Sequence, residues 1–428
     1  MRAYMRALYT LFFYLCLPLV IARLLWRARS APAYAQRWSE RFGFFPARQG
    51  SLPAIWVHAV SVGETLAALP MIRALQQRYP NHQLIVTTTT PTGSERVKAV
   101  LGDEVFHVYA PYDLPDCLNR FLKRTRPALA IIMETELWPN TIAACARHRV
   151  PVVVANARLS EKSAKGYQRL SAIARPMLAN IHCVAAQHSD DGERFVSLGL
   201  PANALAITGN IKFDLTLDQP QRALAQQFRQ RWCNETPRPI FIAASTHEGE
   251  DELLLRAFEL IRQQRPDLLL LIVPRHPERF ESVYQLASAR YKTAKHSEGQ
   301  SLSSDTQVLI GDTMGELMPM LGASDLVFMG GTWVDNGGHN LIEPAAWGKP
   351  IFSGLSLFNF AEVSRLLLEA QALKLVETPD VLAQQIVQLL EQPELGQIMG
   401  EAGQRVAEAN RGALVKLLEV IDSELAKH

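Results

Sequence analysis

The sequence predicts an α/β protein of two Rossmann-like domains, whose parallel sheets face a central cleft, preceded by a hydrophobic membrane anchor. Three observations predict it. From Ala54 onward, short apolar runs rich in β-branched residues alternate with helical segments. A polar, proline-flanked stretch interrupts that alternation once, after which it restarts. The first 48 residues are apolar and basic, unlike anything after them. At 428 residues the chain exceeds what one core holds. Its 48% hydrophobic and 20% charged residues are those of a folded protein, without low-complexity tracts or solenoid repeats.

Residues 1–48 hold eight arginines (Arg2, Arg6, Arg23, Arg27, Arg29, Arg37, Arg41 and Arg48) against the single acid Glu40. That is a net +7 in a chain of net +2, so residues 49–428 carry −5. A nucleic-acid binder would place its basic patch on the folded domain, so no nucleic-acid partner is expected, and the charge reads as an attachment device. Residues 7–22 are uncharged and almost wholly apolar, with arginines on both sides. Ala33-Tyr34-Ala35 imitates a signal-peptide cleavage site, but three arginines between it and the apolar run argue against export. A spanning helix needs about 20 apolar residues, which requires Arg23 to snorkel. The alternative is a half-inserted helix with Trp26 at the interface and arginines on anionic headgroups. Flanking arginines on both sides leave the positive-inside rule ambiguous. Attachment to the cytoplasmic face is expected, spanning or half-inserted. Cys16, Cys117, Cys145, Cys183 and Cys233 show no paired spacing and no CxxC, as expected of reduced, buried thiols on a cytosolic face.

Strands are expected at 55–60, 83–89, 105–110, 128–134, 151–157, 181–187 and 205–210. A linker follows at 214–238, then strands at 240–246, 268–274, 307–312, 325–331, 350–354 and 373–377. The domains are set at 49–213 and 239–400, after an anchor segment at 1–48 and before a C-terminal helix at 401–428. Ligands in open parallel sheets sit beyond the carboxyl ends of the strands, and reactive side chains gather at those ends. The first half presents Ser61, Glu64, Thr87–Thr90, Glu134, Glu136, Asn156, Arg158, Asn210 and Lys212. The second presents Ser245–Glu248, Arg275-His276, Asp312-Thr313-Met314-Gly315 and a Gly-rich stretch.

Within that stretch, Gly330-Gly331-Thr332 and Asn336-Gly337-Gly338-His339-Asn340 lead from a strand into a helix. Free N–H groups and a positive helix end are expected there as an anion site, with Glu343 one turn in to accept hydrogen bonds from ribose hydroxyls. A plain tight turn, with Glu343 serving the helix dipole, is the structural alternative. No GxxxxGK[ST] occurs, which speaks against phosphate transfer from ATP. Glu64 at a helix start is either a dipole partner or, if buried, a general base of raised pKa. Glu134 and Glu136 share a side if the strand extends through them; otherwise they pair with Arg158 or Lys212. Arg275 and His276 suit a phosphate or base, and Lys212 a carboxylate or phosphate. Arg279 is the more solvated charge of its loop. His247, His276 and His339 are not spaced as zinc ligands, and no paired carboxylates adjoin the phosphate turn, so neither metal nor cofactor is expected.

These features describe a two-domain nucleotide-sugar transferase of the GT-B type. Ten ordered motifs carry a closer resemblance: HAVSVGETLAALP (58–70), TTTTPTGSERV (87–97), PYDLPD (111–116), METELWPN (133–140), VANARLS (154–160), GNIKFD (209–214), STHEGE (245–250), PRHPERF (274–280), GDTMGEL (311–317) and GGHNLIEPAAWGKP (337–350). Together with RARSAPAYAQRW (27–38), they resemble the 3-deoxy-D-manno-octulosonic acid (Kdo) transferases of lipid A and lipopolysaccharide biosynthesis. Thr332 stands where that family carries Ser and keeps the hydroxyl. The resemblance implies a CMP-Kdo donor, a lipid IVA acceptor and inverting, metal-independent transfer, with two successive additions expected at the inner membrane. It implies Glu64 as the base on the acceptor's 6'-hydroxyl, with Glu134 or Glu136 assisting. Arg275, His276, Met314, Gly315, Gly337, Gly338, Asn340 and Glu343 are then expected at the CMP site, and Ser61, Arg158 and Lys212 at the acceptor or its charges. Two other functions are weighed beside it. One is a GT-B transferase using UDP-N-acetylglucosamine; the other is a non-catalytic membrane-bound nucleotide- or lipid-binding protein. A UDP-sugar epimerase shares the fold but has no use for the apolar N-terminus.

Overall fold

The computed structural model describes residues 2–29, 32–233 and 237–427. Ser30 and Ala31 of the anchor segment and Asn234, Glu235 and Thr236 of the expected linker lie outside the described residues. The chain forms two compact units, Met1–Asp214 with Arg411–His428, and Leu215–Asn410.

The first unit is built on β1 (Ala54–His58), β2 (Gln83–Thr88), β3 (Phe106–Tyr109), β4 (Pro127–Met133), β5 (Val152–Ala157), β6 (Cys183–Ala186) and β7 (Leu205–Ile207). They lie in the order β3-β2-β1-β4-β5-β6-β7, all parallel. The chain reverses its march between β1 and β4, the switch point where parallel sheets of this kind take ligands. Alternate residues serve opposite faces. Trp56, Ile85 and Ile132 pack with Phe121 and Phe195 on one side. Ile55, Val57, Val86 and Ile131 pack on the other with Met71, Ile72 and Leu75, from the helix Val62–Arg78.

The last helix, Ala413–Ala426, returns to this unit and completes the second face with Leu417 and Ile421. The expected single helix over 401–428 is therefore two. Pro393–Ala409 stays with the other unit, and Gly412, at φ 91°, breaks the run. The Asp214 carboxylate accepts the N–H groups of Gly412 and Leu414, clasping the returning helix where the chain first leaves the unit.

The N-terminal helix Arg2–Ala28 is long and apolar enough, over Tyr4–Ala28, to cross a membrane. Tyr9 donates to Asp113 (3.0 Å) and Tyr14 to Asp116 (2.6 Å), while Thr10 and the Asn140 amide exchange hydrogen bonds. Leu8, Leu11, Phe12, Leu15 and Leu19 stand exposed on the opposite stripe. Three of the eight arginines read as an attachment device are built into the domain instead. Arg37 binds Glu40, Ser94 and the His107 carbonyl; Arg41 is buried; Arg48 donates to the Thr125 carbonyl. Their carbonyl and carboxylate partners tie them into the fold of the domain.

The second unit carries β8 (Ile240–Thr246), β9 (Leu269–Pro274), β10 (Thr293–Lys295), β11 (Val308–Ile310), β12 (Leu326–Met329), β13 (Ile351–Ser353) and β14 (Leu373–Leu375). Their order is β10-β11-β9-β8-β12-β13-β14, again parallel. β10 is a short polar edge strand, without the apolar run that marks the other strands. The span read as a linker contains the helix Gln219–Cys233, which buries Ala225, Phe228 and Trp232 and belongs to this unit. Gly322 lets it approach the helix Leu317–Ala323: a Cβ there would lie 2.8 Å from Ala225 and 2.7 Å from Trp347. All five cysteines are free; Cys117, Cys145 and Cys183 are buried, whereas Cys16 and Cys233 are only half-buried.

Candidate functional site

In the first unit, the chain leaves β1 and turns at Ser61 into the helix Val62–Arg78. Ser61 Oγ accepts the Glu64 N–H (3.2 Å) and donates to Glu64 Oε1 (3.0 Å), while the Val60 N–H donates to Oε2 (2.9 Å). This is a reciprocal S-x-x-E cap, displaced by one residue because the carboxylate reaches Val60 rather than Ser61 itself. The capping role of Glu64 is thus met by its own side chain. Burial raises its pKa from the ordinary 4.5 to about 7, against the two hydrogen bonds that favour the ionised form. The charges of Glu136 and Glu134 add to the rise, so three carboxylates share this edge of the sheet.

The strand does not extend through METE. Glu134 turns into the left-handed region at φ 54°, so the two carboxylates are not placed by strand alternation. Glu134 pairs with Lys212 at 3.5 Å. Glu136 accepts the Trp138 indole N–H (3.1 Å), and burial pushes its carboxyl up. Arg158 contributes its carbonyl, which accepts the Thr135 hydroxyl, and leaves its side chain exposed. The sequence singles out no separate role for Asn156. It is fully buried at φ 53°, and its Oδ1 accepts the Ile211 N–H (3.1 Å), fixing the turn that presents Lys212.

In the second unit the chain itself takes part of the expected anion site. The N–H groups of Gly331 (2.7 Å), Thr332 (3.0 Å) and Trp333 (3.0 Å) do converge, but on the buried carboxylate of Glu250, which also accepts the His247 N–H (2.9 Å). The chain fills that nest with its own anion. Further along, Gly337 (φ 81°) donates to Ser356 Oγ (3.1 Å) and Gly338 (φ 74°) to the Gly331 carbonyl (2.9 Å), so neither N–H is left for a ligand. The helix that follows, Ile342–Ala346, has only five residues, and Asn340 Oδ1 takes the Ile342 N–H (3.1 Å). Of the N–H groups expected to form an anion pocket over 337–343, those of Gly337, Gly338 and Ile342 are therefore taken internally.

Side chains remain to meet a ligand. His247 Nε2 and His339 Nε2 lie 2.8 Å apart, and their rings are 5.1 Å between centroids and within 5° of parallel. Those values describe an in-plane N–H···N hydrogen bond, not a face-to-face stack. Asn336 Nδ2 reaches the same nitrogen of His247 (3.0 Å). Burial first, then the electrostatic influence of His247, Arg275 and His276, holds His339 down at about 4, so it is neutral at pH 7. Glu343 is half-buried and hydrogen-bonded by Asn340 Nδ2 (3.2 Å). Burial nevertheless pushes its carboxyl up, against that bond and the charge of Arg275.

The solvation expected of Arg275 and Arg279 is reversed. Arg275 and His276 are exposed at the end of β9. Arg279 is partly buried, paired with Asp251 and bonded to the Thr246 carbonyl, because Asp251 would otherwise be a buried, unpaired charge. Met314 and Gly315 lie exposed on the loop after β11, and among the described residues no hydrogen bond ties them to the histidines. A 530 Å³ cavity bordered by Pro239, Asp267, Leu326 and Pro350 opens at the amino ends of this sheet, away from the edge that carries these side chains.

Comparison with known proteins accounts for both units. Residues 36–215 match the family described as 3-deoxy-D-manno-octulosonic-acid transferase (kdotransferase), and residues 225–406 match the glycosyl transferases group 1. The chain is 43% identical to a 3-deoxy-D-manno-octulosonic acid transferase of Haemophilus influenzae, over 99% of both chains. It is 35% identical to the enzyme of that name from Bordetella pertussis, covering 94% of this chain and 96% of that one. Among solved structures, a UDP-GlcNAc 2-epimerase from Neisseria meningitidis shares the fold, with a TM-score of 0.58 at 17% identity, over 88% of this chain and 100% of that one. With two parallel Rossmann-like units of the GT-B type and near full-length identity to these enzymes, the chain belongs to the 3-deoxy-D-manno-octulosonic acid transferase family and is a glycosyltransferase.

Proposed function

We propose that the protein transfers Kdo from CMP-Kdo to lipid IVA, with inversion and without a metal ion, in two successive additions at the cytoplasmic face of the inner membrane. The observation that carries this is Glu64: a half-buried carboxylate at a strand end, with a pKa of about 7, in a chain of this family.

In the transfer, Glu64 takes the proton of the acceptor's 6'-hydroxyl as that oxygen bonds to the anomeric carbon of Kdo. The bond from that carbon to the CMP phosphate oxygen breaks, and CMP leaves with the electron pair. One displacement at the anomeric carbon inverts it. Glu134 and Glu136 keep Glu64 basic through their charge, and Ser61 orients it. Lys212 and Arg158 offset the carboxylate of the sugar or the acceptor's charge. Arg275 and His276 bind the CMP phosphate. Glu343, steadied by Asn340, accepts the ribose hydroxyls, while Gly337 and Gly338 shape that turn and Met314-Gly315 borders the base. The apolar helix and its arginines hold the protein at the lipid surface.

The test is an assay of purified protein with CMP-Kdo and lipid IVA, following CMP release and product mass. UDP-N-acetylglucosamine serves as the competing donor. Glu64→Ala is expected to lower kcat by about 10²–10⁴-fold while CMP still binds. Full turnover by that variant would remove Glu64 as the base, and a product carrying a single Kdo would refute the second addition.

A further inference from the structure

Beside the strand end that carries Glu64, the first unit holds a 290 Å³ cavity that none of the roles above uses. Phe13 of the N-terminal helix, Trp56, Ala110, Pro111, Tyr112 and Trp138 give it apolar walls. A second cavity, of 380 Å³, shares Trp138 as a wall and is lined by Tyr9, Leu137, Leu170, Ile173 and Met177. Volumes of this order suit part of a small ligand rather than a whole folded segment.

Continuity with the N-terminal helix indicates the occupant. Tyr9 and Phe13 are one helical turn apart and turn toward these cavities, while Leu8, Leu11, Phe12, Leu15 and Leu19 face outward. The same helix thus offers one apolar stripe to its surroundings and roofs two apolar cavities with the other. A chain of methylenes lying against the outer stripe would be one helix diameter, ~10 Å, from the cavities.

The first cavity also has a polar end. Arg41 is buried there, with Nη2 on the Thr89 carbonyl (2.8 Å) and its guanidinium 4.2 Å from the Tyr109 ring centre. His58 is its neighbour in the wall. Thr87 Oγ1 accepts the Trp56 indole N–H (2.8 Å) and is hydrogen-bonded to His58 Nδ1 (2.9 Å); when the hydroxyl donates in that second bond, Nε2 of the neutral ring carries the proton. Val60 lines the same cavity and gives its N–H to the Glu64 carboxylate.

We propose that this cavity seats an acyl chain of the lipid acceptor, with the carbonyl at the head of that chain turned toward Arg41 and His58. This rests on the lipid acceptor proposed above and adds the place where its tail is read. Seating a chain here ties the position of the headgroup to the loop that carries Glu64, so acylation becomes a requirement for productive binding rather than a bystander.

The experiment compares lipid IVA with its fully deacylated counterpart, both with CMP-Kdo, in the wild type and in Ala110→Phe, which fills the cavity. Each methylene kept from the cavity costs about fourfold in affinity. Ala110→Phe is therefore expected to raise KM for lipid IVA by about tenfold or more. KM for CMP-Kdo and kcat/KM for the deacylated acceptor should stay within about twofold, a split that general damage does not produce. If Ala110→Phe does not fold, Phe13→Ala widens the cavity from the helix side and is expected to shift preference toward longer acyl chains. Equal losses on both acceptors, or no loss on either, would overturn the cavity as an acyl site while leaving the transfer itself intact. No transfer by the wild type to either acceptor would overturn the lipid acceptor and the cavity together.

Discussion

Glu64 serves the fold and the proposed chemistry with one carboxylate, and the two roles pull its proton affinity in opposite directions. Its bonds to Val60 and Ser61 favour the ionised form; burial and the neighbouring Glu136 and Glu134 favour the protonated form, and burial dominates. As the base, Glu64 must be ionised, so kcat/KM is expected to rise with pH through about 7 and level off above it. Ser61→Ala deletes a hydrogen bond to the ionised form and should move that limb upward by about half to one pH unit. It also removes a helix cap, at about 1 kcal/mol. A pH–rate profile that stays in place for Ser61→Ala would separate the limb from Glu64. Stability has its own sign. A folded-state pKa above the ordinary 4.5 contributes stability below that value, which is lost as pH rises through about 7. Glu64→Gln should therefore gain on the wild type between about pH 4 and pH 8, by about 1–2 kcal/mol after allowing for partial exposure, read from denaturant midpoints. Residue type and position at a strand end make Glu64 legible in the sequence. Arg279 is not legible in that way, because its partner, Asp251, lies 28 residues away and is found only by folding.

The loop from Gly330 to Asn340 shows how an element can be recognised while its occupant is not. Glycines at positive φ and a strand before them announce converging N–H groups. Nothing local announces that Glu250, 81 residues earlier, fills them. Glu250 accepts four backbone N–H groups in a fully buried site. Glu250→Ala would leave those donors unpaired, and a loss of about 3–5 kcal/mol is expected. Since the same loop carries His339 and leads to Asn340 and Glu343, CMP affinity should fall with it. Calorimetric titration of CMP beside thermal unfolding checks both; a variant that keeps its stability would show that the nest does not need an anion. Most strands are readable because parallel strands are apolar on both faces. β10 escapes because it is a three-residue polar edge, and the helix Gln219–Cys233 reads as a linker because its buried side is only Ala225, Phe228 and Trp232.

Across the whole molecule, the order of the chain and the order of the cores differ. The first unit takes residues up to Asp214 and then waits for Arg411–His428, although the alternation of strands and helices makes 49–213 look complete. The missing piece is specific. Leu417 and Ile421 are fully buried against the face of the sheet that carries Ile55, Val57 and Ile131. Amphipathic spacing in 413–426 reveals a helix with a side to bury, but not which of two sheets receives it. Asp214 supplies the local reason: it caps the returning helix at the point where the chain departs. Each large-to-small change at Leu417 or Ile421 should cost about 2–5 kcal/mol. A chain ending at Asn410 uncovers the part of that apolar face that Leu417 and Ile421 bury, and is expected to be recovered aggregated, even with its second unit intact. Adding a peptide of residues 411–428 during refolding should restore soluble protein with a cooperative unfolding transition. If the shortened chain refolds to a soluble form of unchanged stability without the peptide, the final helix is an accessory, and the first unit closes its core with residues before Asp214 alone.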